Sequence, residues 1–166
     1  ATPLLLQAEH VAKAYAGVPA LRDGRLSLRA GSVHALCGGN GAGKSTFLSI
    51  LMGITQRDAG SILLNGTPVQ FNRPSEALAA GIAMITQELE PIPYMTVAEN
   101  IWLGREPRRA GCIVDNKTLN RRTRELLDSL EFEVDATSPM HRLSVAQIQL
   151  VEIAKAFSHD CQVMIM

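Results

Sequence analysis

The sequence has no formal net charge: its 16 Lys and Arg are matched by 16 Asp and Glu. That balance argues against a nucleic-acid binder held by a basic face. Cysteine is scarce. Cys37, Cys112 and Cys161 are scattered and form no CxxC pair. A disulfide framework or a cysteine zinc site is therefore not expected, and a reduced, cytosolic setting fits better. The four histidines have no metal-ligand spacing, and none is assigned a role. No apolar run approaches the ~18 residues of a membrane span. The opening stretch "ATPLLLQAEH" lacks the basic region and long apolar core of a signal peptide. Repeats and low-complexity tracts are absent as well. Work at a membrane would need something else to carry the chain there.

What is present suits one globular domain: 166 residues, 46% of them hydrophobic, enough for a real core. "LLLQAEHV" and "GRLSLRA" read as strands around the turn-rich "AGVP". "SVHALC" reads as a short apolar strand running into a glycine-rich loop, with Cys37 as a small buried residue at its end. Residues 46–52 follow as a helix, with Gly53 suited to its C-terminal cap. "GSILLNGTPVQF" reads as a hairpin about Asn65-Gly66. "SEALAAG" is a short helix closed by Gly81, and "IAMIT" a buried strand at 82–86. Residues 87–95 have two prolines and no period, so they form a loop. Leu119, Leu126, Leu127 and Leu130 then mark one helical stripe, a core face with arginines on the solvated side. Residues 144–158 give another helix, with Leu150, Val151, Ala154 and Phe157 on a common side, and "QVMIM" begins a final strand. Strands first, helices next and a last strand imply an α/β core interrupted by a helical insertion.

The stretch "GGNGAGKST", residues 38–46, fits G-x-x-x-x-G-K-[ST], with Gly38, Gly43, Lys44 and Ser45 at the fixed places. Glycines let the backbone curl so that successive N–H groups face phosphate oxygens. The helix that follows offers free donors and the positive end of its dipole. Lys44 has the reach for β- and γ-phosphates, and the Ser45 hydroxyl suits Mg²⁺. Alone, this motif implies only that a nucleoside triphosphate binds.

Beyond the loop, the sequence resembles the ATP-binding subunit of ABC transporters. Five stretches carry the likeness in the family's order: "KAYAGVPAL", the phosphate loop, Gln87 after "IAMIT", "LSVAQIQLVEIAKA" at 143–156, and "QVMIM". "MTVAENIWLGREP" and "VEIAKA" are similar to the monosaccharide-importer branch, which takes ribose, galactose, xylose or a related sugar. The resemblance implies an α/β P-loop NTPase of ABC type. Such a fold has an antiparallel β part and a helical insertion carrying the signature motif. Residues 1–86 and 160–166 would belong to the ATP-binding core, and 87–159 to the Q-loop and helical subdomain.

The same resemblance distributes the roles. Tyr15 would stack on adenine. Gly38, Gly39, Asn40, Gly41, Ala42, Gly43, Lys44, Ser45 and Thr46 would hold the phosphates of ATP. Ser45 and Gln87 would attend Mg²⁺, and Gln87 would also sense the attacking water. Ser144 and Gln147 would act in trans on nucleotide bound to a second ATP-binding half, in the same chain or in a dimer. Expected partners are a membrane permease and, indirectly, a periplasmic sugar-binding protein, with no nucleic acid. The location implied is peripheral, on the cytoplasmic face of the inner membrane. The activity implied is ATP hydrolysis coupled to sugar import. Readings of other classes are a soluble ABC-type ATPase acting on ribosomes or DNA, and a nucleotide-gated interaction module.

The likeness has three departures. The signature reads LSVAQ rather than LSGGQ, so Val145 and Ala146 replace glycines. Gly39 stands where a larger residue is common. The Walker B aspartate and the catalytic glutamate would follow Met166, so the core is expected to be incomplete at its C-terminus. Residues 1–166 by themselves are then expected to be inactive in hydrolysis.

Overall fold

A computed structural model describes residues 3–85, 91–109 and 111–166. The chain divides into two compact units: one runs to Ala83 and includes Ile165, and the other comprises Met84–Met164 with Met166.

The first unit is built on an antiparallel sheet. Strands β1 (Leu4–Tyr15), β2 (Val18–Arg29), β3 (Ala59–Leu64) and β4 (Thr67–Pro68) lie in the order β2-β1-β3-β4. Leu6 and Ala8 point inward on β1, as period-two alternation requires. The register shifts between Ala8 and Val11, where His10 has a φ of 53°. That bulge moves the inward set by one residue, so that Val11 rather than His10 is buried. Asn65 and Gly66, with φ of 51° and 76°, make the turn between β3 and β4. Two positive values in a row match the right-handed twist of a tight hairpin, as the Asn-Gly pair predicts.

Helix α1 (Lys44–Leu51) buries Phe47, Ile50 and Leu51. Gly53 ends it at φ 69°, donating to the Ile50 carbonyl at 3.1 Å. Helix α2 (Pro74–Ala79) and strand β5 (Ile82–Met84) follow as expected. The stretch "SVHALC" does not form the predicted strand. Residues 32–37 have no assigned secondary structure, and Val33 is 99% exposed. Cys37 is exposed too, contrary to its expected burial. The reason is physical: a short apolar run without period becomes a strand only when a ladder claims it. Among the described residues none is registered against this run.

The second unit is mostly helical: α3 (Val97–Ile101), a small hairpin of β6 (Arg108–Arg109) and β7 (Ile113–Val114), α4 (Asn116–Ser129) and α5 (Val145–Phe157). A 3₁₀ turn at Met140–Arg142 leads into α5, and strand β8 (Val163–Ile165) ends the chain's described elements. Val97, Ile101, Leu127, Met140, Val151 and Ala154 form its core, with Leu126 and Leu130 packed beside them. The leucine stripe is thus a core face. Arg121, on the solvent side, pairs with Glu125 at 3.6 Å. Leu150 is half-buried and Phe157 exposed, so the buried face of α5 is narrower than the sequence implied.

Buried polar groups in this unit have defined partners. Trp102 Nε1 donates to Thr123 Oγ1 at 3.1 Å, and Thr123 Oγ1 donates to the Leu119 carbonyl at 2.9 Å. Asn100 accepts from the Ile92 amide at 2.8 Å and donates to the Ile92 and Thr96 carbonyls, tying the approach to α3 onto the helix. Arg105 donates to the Ser158 carbonyl at 2.9 Å and to its hydroxyl at 2.7 Å, closing the end of α5. Its guanidinium also stands 5.2 Å from the Trp102 ring.

Asp115 caps α4. It accepts from the Thr118 amide and hydroxyl at 3.2 and 2.7 Å and meets Arg109 Nε at 3.0 Å. The Thr118 hydroxyl, then Arg109 and the Thr118 amide, hold its carboxyl at about 2, below the ordinary 3.8. A lowered folded value means stability that is present above the unfolded value and lost as pH falls through the folded one. Wild-type protein should therefore lose stability as pH drops from about 4 through about 2. Asp115→Asn keeps a capping oxygen but not the charge. It should melt earlier than wild type at neutral pH and converge with it at the acid end, as followed by circular dichroism.

Candidate functional site

The glycine-rich loop gets its shape from two left-handed residues. Gly41 has φ 81° and Gly43 φ 86°, and the Ala42 amide donates to the Gly39 carbonyl at 3.2 Å. Gly43 is doubly constrained. A Cβ there would stand 2.5 Å from the Ala20 carbonyl oxygen and 3.0 Å from Leu21 Cδ1. The loop thus leans on β2 at the point where α1 begins. A Cβ on Gly39 would meet nothing within 4 Å.

Lys44 begins α1 and turns back over the loop. Its Nζ donates to the Gly38 and Gly39 carbonyls at 2.5 and 2.9 Å. Gly38, Gly39, Asn40, Gly41 and Ala42 are exposed, as is Ser45, and Thr46 is half-buried. The Phe47 amide donates to the Gly43 carbonyl at 2.9 Å and opens the intrahelical ladder. The amides before it in the first turn have no acceptor within the helix. No side chain caps α1, and its first turn holds no acidic residue. Those groups suit an anion: free donors, a dipole end and an ammonium where a glycine-rich loop meets its helix.

Tyr15 ends β1 and is 48% exposed. Its hydroxyl makes a long contact of 3.5 Å with Thr55 Oγ1. Lys13 Nζ lies 5.6 Å from the ring centroid. Asp58 ties this end of the strand, accepting from Lys13 Nζ at 2.7 Å and from the Ala14 amide at 2.8 Å.

In the second unit Ser144 and Gln147 are brought together as a capping box. Ser144 Oγ accepts from the Gln147 amide at 3.3 Å, and Gln147 Oε1 accepts from the Ser144 amide at 3.0 Å. Ser144, Val145 and Ala146 are exposed at this helix start. Gln87 lies outside the described residues. Among those described, no group of His, Cys, Asp and Glu could hold a metal ion. No helix there is long and apolar enough to cross a membrane.

Sequence reasoning missed Asp58, Asn100 and Arg105. An Asp before a strand, an Asn in a short helix and an Arg after one carry no periodic signal. Their roles come only from residues brought close by folding.

A strand-anchored glycine loop feeding an uncapped helix start, beside an antiparallel sheet, defines a phosphate-loop α/β domain. The chain belongs to the ABC transporter family, whose sequence profile matches residues 21–166. It is 51% identical over 164 residues to a Pseudomonas syringae pv. syringae protein named for ribose/galactose/methyl galactoside import ATP binding. A Ralstonia nicotianae protein of the same name is 51% identical over 162 residues. These alignments take in 99% and 98% of this chain but 31% of each relative. The chain thus spans about a third of the length of the curated relatives it matches. An ATP-binding cassette of an ABC transporter in its ADP conformation shares the fold, with a TM-score of 0.82 at 24% identity. That likeness covers 97% of this chain and 67% of the other.

The contrast between Gly43 and Gly39 is testable. Gly43→Ala should destabilise the protein by about 1–3 kcal/mol, through a left-handed alanine and the collision with the Ala20 carbonyl. Gly39→Ala, with open space around the added methyl, should leave the unfolding midpoint near wild type. Thermal unfolding of the two variants side by side measures the difference.

Proposed function

We propose that this chain is part of an ATP-binding and hydrolysing subunit that powers sugar import through a membrane permease. The observation that carries the reading is the loop at 38–46, with Lys44 folded over its carbonyls and the start of α1 left uncapped. The relatives' names support the sugar-import part. The division proposed is an ATP-binding core, 1–86 with 160–166, and a Q-loop and helical part, 87–159; the first compact unit follows that core as far as Ala83, whereas 160–164 and Met166 group with the second unit.

In this reading each residue has a physical task. The loop amides and the first turn of α1 donate to phosphate oxygens, with Gly38 to Thr46 as the cradle. Lys44 exchanges its carbonyl partners for β- and γ-phosphate oxygens, a stronger charge-assisted contact. Tyr15 offers an aromatic face to the adenine ring. Ser45 and Gln87 are the residues that would hold Mg²⁺, which when bound neutralises charge building between the phosphates. Ser45, the described member of this pair, has the chemistry for such a group, since its hydroxyl is exposed at the helix start. Ser144 and Gln147 would face nucleotide held by a second ATP-binding half.

The permease contact falls within residues 88–106, where the described residues 92–95 carry exposed apolar and aromatic groups. Tyr94 is 87% exposed, Ile92 is exposed as well, and the Tyr94 ring lies 5.6 Å from that of His141. Exposed aromatic and apolar groups of this kind favour a protein interface. A periplasmic sugar-binding protein would act through the permease, at the outer side of the inner membrane. This chain would sit on the cytoplasmic face.

Lys44→Ala should weaken ATP binding by about 1.5–3 kcal/mol, roughly ten- to a hundredfold, measured by calorimetry. Equal affinity for both proteins would remove the phosphate-loop assignment. Cysteine placed at Tyr94 should crosslink to cysteines on the cytoplasmic loops of the permease in the assembled complex. Failure of every such pair in an intact complex would place the interface elsewhere.

A further inference from the structure

Beyond Ala12, strand β1 runs past the end of its neighbour. Ala12 opposite Ala59 is the last register pair between β1 and β3, yet β1 continues to Tyr15. Asp58, immediately before β3, takes over the vacant edge. Its amide donates to the Ala12 carbonyl at 2.9 Å. One carboxylate oxygen accepts from the Ala14 amide at 2.8 Å and the other from Lys13 Nζ at 2.7 Å. A single residue thus holds three consecutive residues of β1, ending one short of Tyr15. The side chain serves as a substitute for the missing ladder.

Lys13 adds a second constraint. Its side chain is only 16% exposed, and its ammonium is fixed by Asp58 at 5.6 Å from the Tyr15 ring centroid. At that range a cation is attracted to the ring's π-face. The lysine therefore restrains the ring as well as the strand. Lys13, by hydrogen bonding, and the Ala14 amide keep the Asp58 carboxyl below its ordinary value, so it stays charged at neutral pH.

We infer that Asp58 is a positioning residue for recognition of the nucleotide base, setting the orientation of Tyr15 through Ala14 and Lys13. The inference rests on the reading of Tyr15 as the base platform. Asp58 itself touches no nucleotide; it fixes the aromatic that does. It bears on the base and not on the phosphates, because the Lys44 and Gly43 contacts of the loop do not involve it.

The test separates base from phosphate. Binding of ATP and of inorganic tripolyphosphate, which lacks a base, is measured on the full chain for wild type, Asp58→Ala, Asp58→Asn, Tyr15→Ala and the Asp58→Ala/Tyr15→Ala double variant. Asp58→Ala should weaken ATP about tenfold, within the range that loss of a base–aromatic stack produces. Tripolyphosphate affinity should stay at the wild-type value. Asp58→Asn, which keeps an acceptor for the Ala14 amide, should fall between wild type and alanine. The double variant should bind ATP no more weakly than Tyr15→Ala alone, since both remove one interaction. If Tyr15→Ala weakens ATP and Asp58→Ala does not, the positioning role is overturned while the platform stands. Equal losses for ATP and tripolyphosphate would mean general damage to the unit and would also overturn it. ATP binding unchanged in Tyr15→Ala would instead remove the platform, and the inference with it.

Discussion

The unfilled amides at the start of α1 are the constraint around which the first unit is arranged. Buried or not, such donors require acceptors. Helices α3, α4 and α5 find theirs in side chains of their own starts. Thr96 and Glu99 close the start of α3, Asp115 that of α4, and Ser144 with Gln147 that of α5. Helix α2 begins with a proline and has Glu76 in its first turn. Helix α1 alone among them has neither a capping side chain nor an acid there. What precedes it is a loop with two left-handed glycines, a shape that gives no side chain a place to cap. The helix start is therefore open to a ligand anion, and Lys44 provides the countercharge in advance.

Holding such a loop still falls to neighbouring elements. Gly43 rests against the carbonyl of Ala20, so β2 fixes where the first turn begins. Phe47, buried one turn later, packs against Gly24 of the same strand; a Cβ there would lie 2.8 Å from its ring. The small residues of β2 are thus what allow α1 to approach. The same end of the sheet is secured differently on β1, where Lys13 and Ala14 stand opposite Leu21 and Pro19. There β1 outruns β3, and the Asp58 side chain replaces backbone pairing. Sheet and loop together give a rigid frame to residues that are themselves exposed.

Much of this was legible because it obeys local rules. Asn65-Gly66, Gly53 and Gly81 each announce a turn or cap through their own stereochemistry. The leucines at 119, 126, 127 and 130 carry a helical period that needs no knowledge of the partner surface. The phosphate-loop motif is local in the same sense. The failures are non-local. "SVHALC" has strand composition but no strand laid against it among the described residues, and composition cannot supply a ladder. The hairpin of β6 and β7 is too short for any alternation to register. Asp58, Asn100 and Arg105 act on residues distant in sequence or on backbone groups of other elements, so spacing says nothing about them.

The two helix starts proposed to face nucleotide are prepared in opposite ways. Helix α1 is left unsatisfied, so an anion there displaces no side-chain cap. Helix α5 is satisfied by its own residues: the Ser144 amide meets Gln147 Oε1 at 3.0 Å, and only the contacts of the Ser144 hydroxyl are long, 3.3 Å from the Gln147 amide and 3.2 Å to Gln147 Oε1. The hydroxyl's own donation at 3.2 Å lies beyond the preferred range for an O–H donor and is correspondingly weak. A charged phosphate oxygen would be the stronger acceptor for the same hydroxyl. Meanwhile the capping box keeps the helix intact when no such oxygen is near. Val145 and Ala146 fit this arrangement where glycines are usual, because a box closed by side chains does not need extra backbone freedom. The substitution in the signature is then compatible with an intact helix start, and the two proposed sites differ in their caps: α1 has no capping side chain, whereas α5 carries its own.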